Sequence, residues 1–264
     1  MTSLPFTQVD AFADAPFTGN PAAVMPLEAW LPDATLQAIA AENNLAETAF
    51  TVPLPDGAGA DYELRWFTPA VEVALCGHAT LASGHVLMAP DRDIIRFRTR
   101  KAGDLSVARA PDGYALDLPA WAMTPSERPG IGALLGGAEP KETWWRQGDY
   151  LLLLYPDEAS VRALRPDFPA LAARGDMLTI ATAPGEQTDV VSRVFAPAAG
   201  IDEDPVTGSA HCLLTPYWAA RLGRARFSAY QASARGGHVG CALAGDRAVL
   251  SGRCVTVIEG QFRL

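Results

Sequence analysis

The stretch RWFTPAVEVALCGHAT, residues 65–80, has a second version later in the same chain, RVFAPAAGIDEDPVTGSAH, residues 193–211. Both open with Arg-x-Phe-x-Pro-Ala, and both then reach a glycine followed by small residues and an apolar run. The copies begin 128 positions apart, nearly half of the 264-residue chain. A repeat at so long a spacing predicts two related domains and not a solenoid of short units.

Each copy has the same local pattern, a strand (64–67 and 190–195) that stops near a proline, then a turn, a glycine and a helix. Proline ends a strand because it cannot donate to a ladder. Gly77 and Gly208 leave the first N–H groups of each helix unobstructed, and these groups attract anions. The alternative is an ordinary capped helix with Ser209 as its N-cap. Two matched copies favour an anion site in a cleft between the halves.

Composition limits the class of partner. The chain is 49% hydrophobic, which allows a large core, and its 23 glycines and 21 prolines favour a strand-rich fold. The net charge of −9 argues against nucleic acid or an anionic membrane as the main partner. No apolar run approaches the roughly 18 residues of a membrane span. No secretory signal is recognisable at the start of the sequence, so we expect a cytoplasmic protein.

The four cysteines form no C-x-x-C pair, and we expect reduced thiols. For Cys212, Cys241 and Cys254 the pattern favours buried packing over chemistry.

The remaining elements are predicted coarsely. Residues 31–44 are typical of a helix with Asp33 as its N-cap. Residues 94–119 alternate like a meander with a turn at 112–113, and residues 144–156 read as one strand. Residues 157–173 read as a helical segment broken by Pro166 and Pro169.

Glu47 is the first candidate for chemistry, because it lies among apolar residues where an unpaired carboxylate is costly. Either it faces solvent from an edge position or it is tuned for proton transfer. His78 follows the first glycine turn, and Asp204 precedes the second. If the pseudo-symmetry brings these turns together, two carboxylates and an imidazole face one cleft, which suits general acid–base catalysis.

Other chemistries lack their motifs. DPVTGSA has neither the spacing nor the lysine of a P-loop, and no G-x-S-x-G elbow surrounds Ser209. No pair of histidines has the H-E-x-x-H or H-x-x-E-H spacing of a zinc enzyme. No G-x-G-x-x-G follows a strand, so a dinucleotide site is unsupported.

Five stretches resemble the PhzF-like family of phenazine-biosynthesis isomerases, which is related to diaminopimelate epimerase. CGHAT together with EDPVTGSAH is specific for this resemblance, and the stretches extend along the whole chain. They are VDAFADAPFTGNPAAV (9–24), IAAENNLAETAFTV (39–52), LRWFTPAVEVALCGHATLA (64–82), RVFAPAAGIDEDPVTGSAHCLLTPYWAARLG (193–223) and YQASARGGHV (230–239).

The resemblance implies an α+β fold of two pseudo-symmetric domains, 1–118 and 119–264, each a β-barrel-like sheet around a central helix. The last strand, about 253–264, is expected to pack back onto the first domain. The family further implies a homodimer that needs no cofactor and no metal.

The resemblance also implies roles for individual residues in binding a small carboxylic acid. Glu47 would be the general acid/base, and His78 and Asp204 would assist it. Backbone donors at the two glycine turns would bind the substrate carboxylate, and three further residues would line the cleft. The implied substrate-binding residues are Asn20, Gly77, Gly208, Ser209, Gly236 and Gly237.

One departure from the epimerase relatives concerns mechanism. Those enzymes use two facing thiols, one at each glycine turn, whereas this chain has Cys76 at the first turn and Thr207 at the second. Threonine is too weak an acid to replace a thiol. The sequence therefore favours a glutamate-dependent isomerase. The alternatives are an amino-acid racemase or epimerase that uses Cys76 with another base, and a small-acid-binding protein without turnover.

Overall fold

A computed structural model describes residues 2–176 and 178–264. The chain forms two compact units, Met1–Leu118 with Val249–Leu264, and Pro119–Ala248. Below they are called the first and the second unit. No helix in the described part of the chain has the length and apolar character needed to cross a bilayer.

The strands are β1 (Ser3–Ala11), β2 (Asn20–Pro26), β3 (Glu47–Pro53), β4 (Tyr62–Phe67), β5 (Glu72–Val73), β6 (Ile94–Thr99), β7 (Asp104–Ala110), β8 (Gly113–Pro119), β9 (Thr124–Pro125), β10 (Glu142–Arg146), β11 (Tyr150–Leu154), β12 (Leu178–Pro184), β13 (Val190–Ala196), β14 (Ile201–Asp204), β15 (Arg226–Gln231), β16 (Gly237–Ala244), β17 (Arg247–Gly252) and β18 (Cys254–Arg263). The helices are α1 (Asp33–Asn43), α2 (Gly77–Leu87), α3 (Ile131–Leu134), α4 (Glu158–Ala163), α5 (Phe168–Arg174) and α6 (Gly208–Leu222).

The pairing of strands is the same in both units. In the first, β2 is parallel to β3, β3 is antiparallel to β4, and β4 is antiparallel to β5 and parallel to β6. In the second, β11 to β15 repeat this order with the same directions. The crossover from β4 to β6 contains α2, and the matching crossover from β13 to β15 contains α6. The predicted α+β fold with an internal duplication is therefore confirmed.

Each unit has a helix that its strands surround. The eight consecutive residues 77–84 of α2 are buried, and the helix contacts β1, β2, β3, β7 and β18. A Cβ atom at Gly84 would lie 2.3 Å from a Val107 methyl carbon, so this helix face can carry no side chain. The buried hydroxyls of Thr80 and Ser83 donate to helix carbonyls one turn earlier, so the buried helix leaves neither hydroxyl without a partner.

The outer face of each sheet is covered by a second helical layer. Leu36 and Ile39 of α1 pack with Met25 and Phe50, and in the second unit Val161 and Leu171 pack on a similar core. The last strand, β18, pairs along its length with β1, so the end of the chain completes the sheet in which the chain begins.

Proline 216 lies inside α6 without leaving an unpaired carbonyl. Proline has no N–H, so the Cys212 carbonyl four residues earlier loses its helical donor. The backbone N–H of Trp121 donates to that carbonyl over 2.9 Å. A loop residue thereby replaces the missing hydrogen bond in the central helix.

Three local predictions were wrong. Asp33 is not the N-cap of α1; Pro32 is, and the Asp33 carboxylate accepts a hydrogen bond from Arg65 at 2.9 Å. Residues 144–156 form the hairpin of β10 and β11, because Gly148 (φ +95°) and Asp149 (φ +62°) turn the chain between them. Pro166 lies in the break between α4 and α5 as predicted, but Pro169 lies in the first turn of α5, where proline is compatible with a helix.

Candidate active site

At the first glycine turn, the N-terminus of α2 lies beside β3, the strand that begins with Glu47. Cys76 is the N-cap of α2 with extended backbone angles, φ −140° and ψ 109°, and its own side chain makes no capping bond. The Thr80 hydroxyl donates to the Cys76 carbonyl over 2.5 Å. Glu47 begins β3, the strand next to β2, and α2 packs against both strands.

Glu47 and His78 meet at this point. His78 Nε2 lies 3.1 Å from Glu47 Oε2, and the two side chains are only 4% and 12% exposed. This is the distance of an ion pair. Apart from His78, Glu47 Oε2 has no hydrogen-bond partner in the described chain. The interpretation in which Glu47 faces solvent from an edge position is wrong, because its side chain is only 12% exposed.

Asn20 and Cys76 contact the other edge of the imidazole. Asn20 Nδ2 lies 3.1 Å from His78 Nδ1, although the two residues are 58 positions apart in sequence. Cys76 Sγ lies 3.6 Å from the same nitrogen. When Asn20 donates to Nδ1, the neutral ring carries its proton on Nε2, the nitrogen nearest Glu47.

Burial and charge shift the pKa values at this turn in a consistent way. Burial alone lowers the pKa of His78, but its neighbours Cys76 and Glu47 outweigh burial and raise that pKa well above the ordinary value. Burial, and then the charge of Glu47, raise the pKa of the Cys76 thiol to about 11. At neutral pH, Cys76 is therefore a neutral thiol, and the raised pKa of His78 favours the protonated ring beside the Glu47 carboxylate.

The second glycine turn has the same backbone and different side-chain contacts. Thr207 is the N-cap of α6, with φ −113° and ψ 102°, so Ser209 lies inside the helix and is not its cap. The Thr207 hydroxyl donates to Asp204 Oδ2 over 2.5 Å. Gln231, which is fully buried, accepts from the Thr207 N–H and donates to the Asp204 carbonyl. Thr207 thus binds Asp204 at the turn position that Cys76 occupies in the first unit.

The loop of Gly236 and Gly237 is attached to the segment that follows Asp204. The Ser233 hydroxyl donates to the Pro205 carbonyl over 2.9 Å and accepts from the Gly236 N–H. Gly236 has φ +65°, and a Cβ atom there would lie 2.0 Å from the Tyr230 hydroxyl. The second unit therefore brings Asp204, Gly208, Ser209 and these two glycines into one neighbourhood.

The structure groups the predicted site residues by unit. Asn20, Glu47, Gly77 and His78 meet in the first unit. That His78 and Asp204 share one cleft stays a prediction, as do the roles of all these residues. Sequence reasoning missed Gln231, whose only signal was its position immediately before the loop ASARGG. In the described chain, the one three-residue group with ligand atoms close enough to hold a metal ion is Glu47, Cys76 and His78.

The duplicated fold and the buried carboxylate–imidazole pair define a class, the epimerase-like α+β proteins. The family profile for the phenazine biosynthesis-like proteins, PhzC-PhzF, matches residues 9–128 and 133–260. The chain belongs to this family, and it is an isomerase.

Two relatives illustrate the similarity. An uncharacterized isomerase of Pseudomonas aeruginosa is 50% identical over 97% of this chain and 98% of its own length. The phenazine biosynthesis-like domain-containing protein of Homo sapiens is 38% identical over 98% of this chain and 99% of its own length.

Solved structures agree with the fold. The PhzF-family protein of Enterococcus faecalis is 42% identical and has a TM-score of 0.92. The match covers 100% of this chain and 100% of that one. A hydroxyproline epimerase from Agrobacterium vitis has a TM-score of 0.59 at 14% identity, with 98% of this chain and 92% of that one covered. The likeness to the epimerase concerns the fold alone.

Proposed function

We propose that this isomerase moves a proton on carbon of a small carboxylic acid, with Glu47 as the general acid/base. The observation that carries the proposal is the Glu47 carboxylate. It is almost fully buried, it lies 3.1 Å from the His78 ring, and its Oε2 atom has no hydrogen-bond partner in the described residues. Few structural roles need a buried carboxylate oxygen without a donor, whereas a general base needs one.

In the proposed reaction, Glu47 takes a proton from a carbon next to the substrate carboxylate, which leaves an enolate. The Glu47 carboxyl, whose proton can exchange with solvent, then delivers a proton to a carbon of the substrate. The imidazolium of His78 stabilises the Glu47 carboxylate before transfer and can hydrogen-bond to the enolate after it. The reaction conserves protons and electrons, so it requires no redox cofactor.

The N–H groups at Gly77, Gly208 and Ser209 are proposed to bind the substrate carboxylate, since both helices begin with unobstructed donors. Asp204 is proposed to assist proton relay and the loop of Gly236 and Gly237 to line the site. For Asn20 the contact with His78 supports a positioning role. Assembly as a homodimer belongs to the same proposal and is supported by the family resemblance.

A racemase that uses Cys76 is the second candidate, because the thiol lies 3.6 Å from His78 Nδ1. The same thiol has a pKa raised to about 11, which makes it a poor base at neutral pH. The third candidate is an acid-binding protein without turnover.

Deuterium exchange tests the proposal. A panel of 2-amino, 2-hydroxy and β,γ-unsaturated carboxylic acids is incubated with the full chain in D₂O and followed by NMR. For any acid that exchanges, we expect Glu47→Gln to slow exchange by about 10²- to 10⁴-fold. Glu42→Gln, an exposed glutamate of α1, is the matched control and should exchange normally. Full exchange in Glu47→Gln would rule out the assignment, and saturable binding without exchange in the wild type would favour the third candidate.

A further inference from the structure

Three large, half-buried side chains of the second unit lie together beside the start of α6. They are Trp121, Arg146 and Tyr150, and they are called the Arg146 surface below. The backbone N–H of Trp121 donates to the Cys212 carbonyl of α6, which fixes this residue against the helix. The Trp121 and Tyr150 ring centroids are 5.4 Å apart at an edge-to-face angle of 66°. The guanidinium carbon of Arg146 lies 4.7 Å from the Trp121 ring centroid.

The register of the β10–β11 hairpin places Arg146 and Tyr150 on the same face of the sheet. The two residues are directly opposite each other in this antiparallel pair. Side chains at such positions project from one face, with Cβ atoms about 4.5–5.5 Å apart. Glu142 lies on that face too, because side chains alternate along a strand, and it accepts a hydrogen bond from Tyr217 of α6 over 3.0 Å. The Arg146 surface therefore faces α6.

Tyr150 reaches the first turn of α6. Burial raises the pKa of Tyr150, whereas a hydrogen bond between its hydroxyl and the Ser209 side chain lowers it. Ser209 is the second residue of α6, and its N–H is one of the donors proposed above for the substrate carboxylate. Burial also raises the pKa of Cys212, and the nearby charge of Arg146 opposes the rise at both groups. The Arg146 surface thus begins at the proposed anion site.

Arg146 differs from most arginines of the second unit because it has no acidic partner. In the described residues, no carboxylate forms an ion pair with its guanidinium and no acceptor forms a hydrogen bond with it. Five other arginines of this unit do pair with carboxylates: Arg162, Arg174, Arg193, Arg221 and Arg224. A half-buried cation without a partner has lost part of its hydration without compensation. A guanidinium that stacks on an aromatic ring still has its in-plane N–H groups available for an anion.

We infer that the substrate carries a second carboxylate, and that Arg146, held by Trp121, binds it. The inference rests on the proposed function, because the first carboxylate is the one assigned to the N–H groups of Gly208 and Ser209. One guanidinium supplies a single positive charge and two parallel N–H donors, which match a carboxylate monoanion. A phosphate dianion would leave negative charge uncompensated. Tyr150 acts through Ser209 and is a positioning residue.

Calorimetric titration of the full chain with simple acids tests the assignment. Succinate, glutarate, adipate and pimelate are each compared with the unbranched monocarboxylate of the same carbon number. We expect at least one diacid to bind about tenfold or more tightly than its monoacid, since hydrogen bonds between charged groups are the stronger ones. Arg146→Gln should remove this preference and leave the monoacid affinity unchanged. Arg226→Gln, which changes an exposed arginine of the same unit, is the control and should retain the preference.

The role of Tyr150 is tested by a double-mutant cycle with Ser209. Tyr150→Phe keeps the ring against Trp121 but removes the hydroxyl, so it should weaken monoacid and diacid binding by the same factor. In a Ser209→Ala background, Tyr150→Phe should have no further effect, because the two hydroxyls act as a unit. Additive losses would contradict the positioning role. Circular dichroism of each variant establishes that it is folded.

A wild-type protein that binds no diacid more tightly than its monoacid, or a preference that survives in Arg146→Gln, would overturn the inference. The proposed function fails in a different way, through deuterium exchange that does not depend on Glu47. That result would leave the diacid preference intact. Glu47-dependent exchange without a diacid preference would overturn the role of Arg146 alone.

Discussion

The two units share a framework and differ in the side chains that occupy it. In each unit the arginine of the repeated motif makes a two-point ion pair, Arg65 with Glu72 and Arg193 with Glu203, over 2.8–2.9 Å. Each guanidinium also lies 5.0 Å from the ring of the motif phenylalanine. These contacts join β4 to the short strand β5 in the first unit and β13 to the short strand β14 in the second. Each short strand leads to a glycine turn. The duplication has therefore kept a structural clamp.

The side chains at the turns have diverged. At the first turn, the His78 imidazole contacts the Glu47 carboxylate with Nε2 and lies beside the Cys76 thiol and the Asn20 amide at Nδ1. At the second turn, the Thr207 hydroxyl donates a hydrogen bond to Asp204 and accepts one from Gln231. The strand position that Glu47 occupies at the start of β3 is Leu178 in β12. The second unit therefore has no carboxylate at the strand position of Glu47, the proposed general base.

The clamp arginines should give the largest loss of stability. Arg65→Leu and Arg193→Leu each remove the two-point partner of a glutamate, and each should lower the free energy of unfolding by about 3 kcal/mol. Glu72 keeps a single contact with the exposed Arg100. Arg193 also donates to the Leu164 carbonyl, so the loss of stability in Arg193→Leu should be at least as large as that in Arg65→Leu. Urea denaturation of both variants measures the effect. A change below about 1 kcal/mol in either variant would mean that the clamp is not a shared structural element.

The two buried histidines should respond to pH in opposite directions. Burial lowers the pKa of His211 from 6.5 to about 4. The unfolded chain therefore binds a proton that the folded chain does not, and stability falls as pH falls from about 6.5 to about 4, by about 3 kcal/mol. The pKa of His78 is raised in the folded chain, so protonation of His78 stabilises the fold below its ordinary pKa. This stabilisation is lost as pH rises through the raised pKa.

Denaturant unfolding from pH 7 to pH 4 measures the His211 contribution, because the His78 contribution changes only above its ordinary pKa. In His211→Gln the acid-dependent loss should be smaller than in the wild type, and in His238→Gln, which changes an exposed histidine, it should be unchanged. The same acid dependence in all three proteins would contradict the assignment to His211.

Substitution at the second cap should have a moderate effect. Thr207→Val keeps the shape of the side chain but removes the donor to Asp204, and should cost about 2 kcal/mol. Thr207→Ser keeps the hydroxyl and should cost less. Thermal unfolding compares the two variants, and equal losses would show that methyl packing, not the hydrogen bond, is the role of Thr207.

Substitution at the first cap should have the smallest effect on catalysis. Because Cys76 is a neutral thiol outside the proposed proton path, Cys76→Ala should retain most of the exchange activity. The fall should stay well below the 10²- to 10⁴-fold expected for a general acid/base. Complete loss of exchange in a folded Cys76→Ala protein would support the thiol mechanism of the racemase alternative.

The sequence alone was enough to predict the duplication, the central helices and the candidate base. The repeated Arg-x-Phe-x-Pro-Ala motif can be read directly from the sequence. Glu47 was identifiable because a carboxylate among apolar neighbours is costly unless it has a role. Residues 144–156 were misread as one strand because the apolar run of β11 obscured the turn at Gly148.

Only the tertiary structure decided which side chains meet. Asn20 contacts His78 across 58 positions, and Gln231 contacts Thr207 across 24. The sequence explained why Thr207 cannot be an acid, and the fold explained what it does instead, which is to hydrogen-bond Asp204. The physical reason is that propensity and periodicity act between near neighbours in sequence. A hydrogen bond or an ion pair depends on distances of about 3 Å between groups that only the folded strands and helices bring together.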